Sequence, residues 1–187
     1  MSMEINFELS DSDLDHFRKV MISAREKASE LDGATIIDNA RKLLIEVWQS
    51  DTSDFIRERM SRLETMIDMV VDEHWGLEDE DHSRAIQALA YFSEPEDLIP
   101  DDIPGLGFLD DAIIIEMVTK ELEHEIQAYK EFIVFRATEA GRRGEDALPL
   151  QRTDWLEERR QQLHSRMRRR RKGFAASNKS KSPFSLL

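Results

Sequence analysis

Apolar side chains recur three and four residues apart along most of this chain, and one Pro/Gly-rich stretch interrupts them. Leu14, Phe17, Met21, Ala24, Ala28 and Leu31 share one stripe of a first helix, with Gly33 expected to end it. Ile36, Ala40, Leu43 and Val47 form the stripe of a second. Ile56, Met60, Leu63, Ile67 and Val70 follow in a third, for which Asp51, Thr52 or Ser53 is a candidate cap. Ala85, Ile86, Leu89, Ala90 and Phe92 mark a fourth, which must stop before Pro95. A fifth runs unbroken through Ile115, Val118, Leu122, Ile126, Tyr129 and Ile133 until Gly141 to Gly144, with Asp110 or Asp111 as its cap. Trp155, Leu156, Leu163 and Met167 suggest a sixth, weaker helix, and Gly173–Leu187 has the composition of a disordered tail.

No strand pattern competes with these spacings. The expected fold is all-α, a bundle of about five helices with a packed acidic loop and a basic C-terminal arm. Three segments follow: 1–80, the N-terminal helices; 81–144, a helix–loop–helix; and 145–187, the basic arm.

The composition agrees and narrows the chemistry. Charged residues make up 35% of the 187, while Gly and Pro number only 7 and 5, a mixture that suits long solvated helices. With no cysteine, thiol nucleophiles, disulfides and Cys-based metal sites are excluded. That absence suits a cytoplasmic location. Neither a signal peptide nor a membrane-spanning run of roughly 20 apolar residues is evident. Charge is unevenly spread: residues 152–187 hold 11 Lys/Arg against 3 Asp/Glu, whereas the rest is strongly acidic within a net charge of −13.

The interrupting stretch, Ser93–Asp111, reads SEPEDLIPDDIPGLGFLDD. It sets prolines, glycines and seven acids beside six large apolar residues: Leu98, Ile99, Ile103, Leu106, Phe108 and Leu109. Such a loop is expected to pack down on those anchors. Its carboxylates Asp97, Asp101, Asp110 and Asp111 could converge on a divalent cation such as Mg²⁺ or Ca²⁺, which favours several oxygen ligands. The bland alternative is capping, with Asp97 serving the turn at Leu98–Asp101 and Asp110 serving the fifth helix. Gly105-Leu106-Gly107 lacks the Lys-Ser/Thr of a phosphate loop. Glu121–His124 is a single Glu-x-x-His pair where a di-metal bundle core requires two.

Pro95, Asp97, Leu98, Ile99, Pro100, Asp101, Ile103, Pro104, Leu106, Gly107, Leu109, Asp110 and Asp111 together resemble the signature of the YkvA-like family (domain of unknown function 1232). The resemblance implies two helices joined by this loop and no established reaction. Many members look membrane-associated through apolar flanking helices. Here Glu94, Glu96 and Asp102 depart from that pattern, and the flanks carry Arg84, Gln87, Glu116 and Lys120. Charges at a bilayer centre cost roughly 2.5–3.5 kcal/mol each on insertion scales, so insertion is not expected, although peripheral association is compatible.

The second signal is Arg166, Arg168, Arg169, Arg170, Arg171 and Lys172. Planar guanidiniums suit phosphate oxygens, so this run is expected to engage a nucleic acid or an anionic membrane surface through residues 152–187. The alternative is that it lies on its own acidic body. A protein partner or a homodimer is compatible with the helical faces.

Overall fold

The computed structural model describes residues 8–93, 98, 99, 103, 106–143 and 154–177. Among them are seven α-helices and no strand, so the all-α expectation holds. Helix α1 spans Asp11–Lys27 and opens with a capping box: Ser10 Oγ accepts from the Asp13 amide, and the Ser10 amide donates to the Asp13 carboxylate at 2.8 Å. A 3₁₀ turn, Ala28–Glu30, follows. Gly33 does not end the first helix. It is the first residue of α2 (Gly33–Gln49), because the Asp32 carboxylate accepts from the Thr35 amide at 2.7 Å and makes Asp32 the N-cap. Ser53 caps α3 (Asp54–Val71), and all five residues of its expected face are buried. Helix α4 (Asp79–Leu89) runs into a second 3₁₀ turn, Ala90–Ser93.

The expected fifth helix is two: α5 (Leu109–Glu121) and α6 (Glu123–Arg143), joined at Leu122. No Pro or Gly marks the joint. The cause is a side chain. The Arg84 guanidinium donates to the Glu121 carbonyl at 3.1 Å and to the Glu125 carboxylate at 2.8 Å, diverting one carbonyl from the helical ladder. On either side the ladder resumes, with Leu122 N–H to Val118 O and Ile126 N–H to Leu122 O both at 2.9 Å.

Helix α7 (Asp154–Ser177) is longer than the expected sixth helix and passes Gly173, into the stretch expected to be a disordered tail. It packs along α6, while α5 packs mainly on α3 and α2 lies between α3 and α4. Leu156, Leu163 and Met167 of α7 join a single apolar cluster that begins at Met21 of α1. Trp75, in the α3–α4 connection, is fully buried at its centre, its ring 5.1 Å from Phe132 and 5.9 Å from Tyr129. The connection is fixed by Asp72. Its carboxylate accepts from the amides of His74 and Trp75, from the Tyr129 hydroxyl and twice from Arg136 of α6.

Replacing Trp75 by Ala should destabilise the fold by about 3–5 kcal/mol, the range for a large buried aromatic. The same change at half-exposed Trp48 should cost a small fraction of that, and chemical denaturation of the two variants side by side measures the difference.

Candidate functional site: the signature loop and the basic helix

The loop is held at its far end by backbone geometry and one buried carboxylate. Phe108 adopts φ 64°, the left-handed region, and is the single non-glycine residue among those described to do so. Its side chain is buried, and packing of that ring offsets a backbone cost of roughly 1–3 kcal/mol. The amides of Leu106 and Gly107 donate to the Ile103 carbonyl, closing the turn that leads into α5.

Asp110 is buried in the first turn of α5, and it does not cap that helix. The N-cap position is Phe108, which has no side-chain acceptor. Asp110 Oδ2 instead reaches back into the loop, accepting from the amides of Leu98 (2.8 Å) and Ile99 (3.2 Å) and from the Tyr91 hydroxyl (3.3 Å). The turn at Leu98 was expected to be served by Asp97. That residue and Asp101 lie outside the described residues, so the four-carboxylate convergence is visible only as the adjacent, buried Asp110 and Asp111. Among the described residues no group of three or more His, Cys, Asp or Glu is placed to hold a metal ion. Asp110 Oδ1 is buried and has no hydrogen-bond partner among the described residues.

The six expected anchors divide evenly. Phe108 is buried and Ile99 and Leu109 are half-buried, but Leu98, Ile103 and Leu106 are 43%, 38% and 51% exposed. The backbone of this loop is secured through a carboxylate and a strained turn, which frees those three side chains to face outward.

Helix α7 has two faces. Inward point Leu156, Arg160, Leu163, His164, Met167 and Arg171, at three- and four-residue spacing. The Arg171 guanidinium sits between two buried carboxylates, Asp81 of α4 and Glu125 of α6, donating to both. Desolvation works against its charge, but those hydrogen bonds and the two negative charges outweigh it and hold its pKa above the ordinary value. Arg168 forms an ion pair with Glu78 at 2.7 Å, and Arg166 with Glu131 of α6. Arg160 donates to the carbonyls of Trp75 and Gly76. Outward lie Arg169, Arg170 and Lys172; Arg170 also donates to Gln127 at 3.0 Å. Of the six residues expected to engage a polyanion, three are therefore engaged by the chain's own acids.

His164 is buried and stacks on Trp75 with ring centroids 4.1 Å apart. Its Nε2 lies 3.2 Å from the Trp75 carbonyl, which assigns the proton to Nε2 in the neutral ring. Burial pushes the imidazole pKa below its ordinary value, and the Arg160 and Arg168 charges on the same helix add to that; the Trp75 carbonyl and Glu78 oppose it. The sequence clue was the spacing from Leu156 to Arg171, in which His164 and two arginines occupy apolar-face positions. Asp81 and Glu125 carried no such clue, since each sits in a run of acids that reads as a solvated surface.

Because folded His164 resists protonation more than unfolded His164, stability should be full above about pH 6.5 and fall as the pH drops below it. Melting temperatures from pH 7.5 to 5.5 should show a steeper acid-side loss in the natural protein than in His164→Gln.

No helix among the described residues is long and apolar enough to cross a membrane. No curated protein matches the chain, and no solved structure does. Residues 84–117 do match the model of a family described as a protein of unknown function (DUF1232). The matched stretch starts at Arg84 of α4, crosses the loop and its Asp110 tie, and ends at Met117 of α5, so the similarity to that family lies in this helix–loop–helix, where the YkvA-like signature was read.

Proposed function

We propose that the protein is a helical interaction module that engages a polyanion, a nucleic acid or an anionic lipid surface, through the outer face of α7. The observation that carries this reading is the division of the basic run. Arg166, Arg168 and Arg171 are neutralised by Glu131, Glu78, Asp81 and Glu125, while among the described residues Arg169 and Lys172 project from the same helix with no acid paired to them and Arg170 meets the neutral Gln127. The inner arginines anchor the helix, and the outer ones supply uncommitted positive charge that phosphate oxygens can take. The acidic remainder of the chain repels polyanions, which confines binding to this face and makes it strongly salt-dependent.

Arg169→Glu with Arg170→Glu should weaken binding to heparin and to single-stranded RNA at least tenfold, with the melting temperature almost unmoved. Unchanged affinity in that variant sinks the reading. Arg171→Glu should behave oppositely, because breaking a buried ion pair costs about 3–5 kcal/mol. Its loss should appear first as a lowered melting temperature.

A second reading rests on Asp110 Oδ1, a buried carboxylate oxygen with no described hydrogen-bond partner. A divalent cation would satisfy it, with Asp97, Asp101 and Asp111 as the nearby acids in sequence. A melting shift with Mn²⁺, Mg²⁺ or Ca²⁺ that disappears in Asp110→Asn supports this reading, and no shift with any of the three removes it.

A further inference from the structure

Three buried polar atoms at the seat of α7 have no hydrogen-bond partner among the described residues: Trp75 Nε1, Glu125 Oε2 and His164 Nδ1. Buried polar groups are normally satisfied, so these exceptions weaken the hold of the seat on the helix. Of the three side chains, only histidine has an ordinary pKa between pH 5 and 8.

The charges around His164 come from the helix itself and from every element it covers. On α7, Arg160 and Arg168 stand one turn before it and one turn after. Arg160 is fixed to the carbonyls of Trp75 and Gly76, and Arg168 to Glu78 at the start of α4. Arg171 occupies Asp81 of α4 and Glu125 of α6, and Arg166 occupies Glu131 of α6. Phe132 and Tyr129 of α6 pack on Trp75. The Tyr129 hydroxyl donates to Asp72, and burial followed by the Asp72 charge keeps it protonated. His74, in the same connection as Trp75, lies 3.7 Å from Asp72. Each acid along this seat is therefore already met by an arginine.

A second proton on His164 puts an N–H on Nδ1, where no described group accepts it, and a positive charge between two guanidiniums. Attraction of the charged ring for the indole face opposes this. A buried charged donor left unmet is the larger effect. The ring's lowered pKa, caused first by burial, agrees. In water the same ring takes up the proton freely, so acid favours the helix off its seat. Helix α7 packs chiefly along α6 and can lift without parting α2 from α3 or α3 from α5.

We propose that α7 is an acid-released latch with His164 as its trigger, and that its release adds Arg160, Arg166, Arg168 and Arg171 to the polyanion-binding face. The second half rests on the reading of the α7 outer face given above. At neutral pH the four inner arginines hold the helix down. Once it lifts, Asp81 and Glu125 are hydrated and the arginines are free for phosphate or sulfate oxygens.

The chain has no cysteine, so single thiols report the release. Three variants are treated with 4,4′-dithiodipyridine: Leu163→Cys on the buried face of α7, Ser165→Cys on its exposed face, and Leu63→Cys in the α3 core. The rate at 163 relative to 165 should rise about five- to tenfold from pH 7.5 to 5.5. Tenfold is roughly the ceiling for one proton with an open-state pKa near 6.5. The rate at 63 relative to 165 should stay level, which separates release from global unfolding. In a His164→Gln background the rise at 163 should vanish. That background also separates His164 from Glu121, whose pKa burial raises but whose ion pair is with Arg25 of α1. Should Leu163→Cys not fold, Met167→Cys on the same buried face replaces it. A flat ratio, or an equal rise in His164→Gln, overturns the latch. Heparin affinity of the natural protein should gain about threefold more on the same acid shift than that of His164→Gln. Release without that gain overturns the added charge. Failure of the outer-face reading shows separately, as normal heparin binding by Arg169→Glu with Arg170→Glu at pH 7.5.

Discussion

Two carboxylates, Asp81 and Glu125, are almost entirely removed from water, and the arrangement of the helices around them follows from that. A buried anion is costly unless paired and hydrogen-bonded, and leaving either unpaired would cost several kcal/mol. Arg84 reaches Glu125 from α4, and Arg171 reaches both acids from α7. Helix α7 is therefore required by the acids it covers. The same helix brings Leu156, Leu163 and Met167 onto the core and His164 onto Trp75, so the apolar and ionic contributions select one docking register together.

This explains why a run of arginines at the end of an acidic chain is ambiguous as sequence. Read as composition it is an arm for polyanions. Read at helical spacing, Arg160 and Arg171 lie on the stripe of Leu156, Leu163 and Met167, whereas Arg169 and Lys172 lie on the opposite one. An arginine stem covers apolar surface while its head finds a partner, so such residues belong to both alphabets. The stripes of α2 and α3 were legible because their inward positions are simply apolar. Those of α7 were only half legible, because the inward positions include charge whose partners are 46 and 90 residues away in sequence.

The signature loop shows a different limit. Its boundaries and the helices flanking it are plain in the prolines, glycines and aspartates. Its internal fastening is not: an aspartate near a helix start reads as a cap, and Asp110 instead bonds two amides eleven and twelve residues earlier. The choice turns on Phe108, whose left-handed backbone occupies the capping position and leaves Asp110 free to turn back toward the loop. Nothing in the residue type of a phenylalanine announces that conformation.

Arg84 has a consequence that reaches past the segment it begins. Without a diverted carbonyl at Glu121, residues 109–143 would make one continuous rod of about 52 Å at 1.5 Å per residue. One hinge in that rod lets its first third settle on α3 and the remainder serve as the bed for α7. The first residue of the family segment therefore sets the direction of a helix that lies outside it, and two stretches with separate sequence character share a single joint.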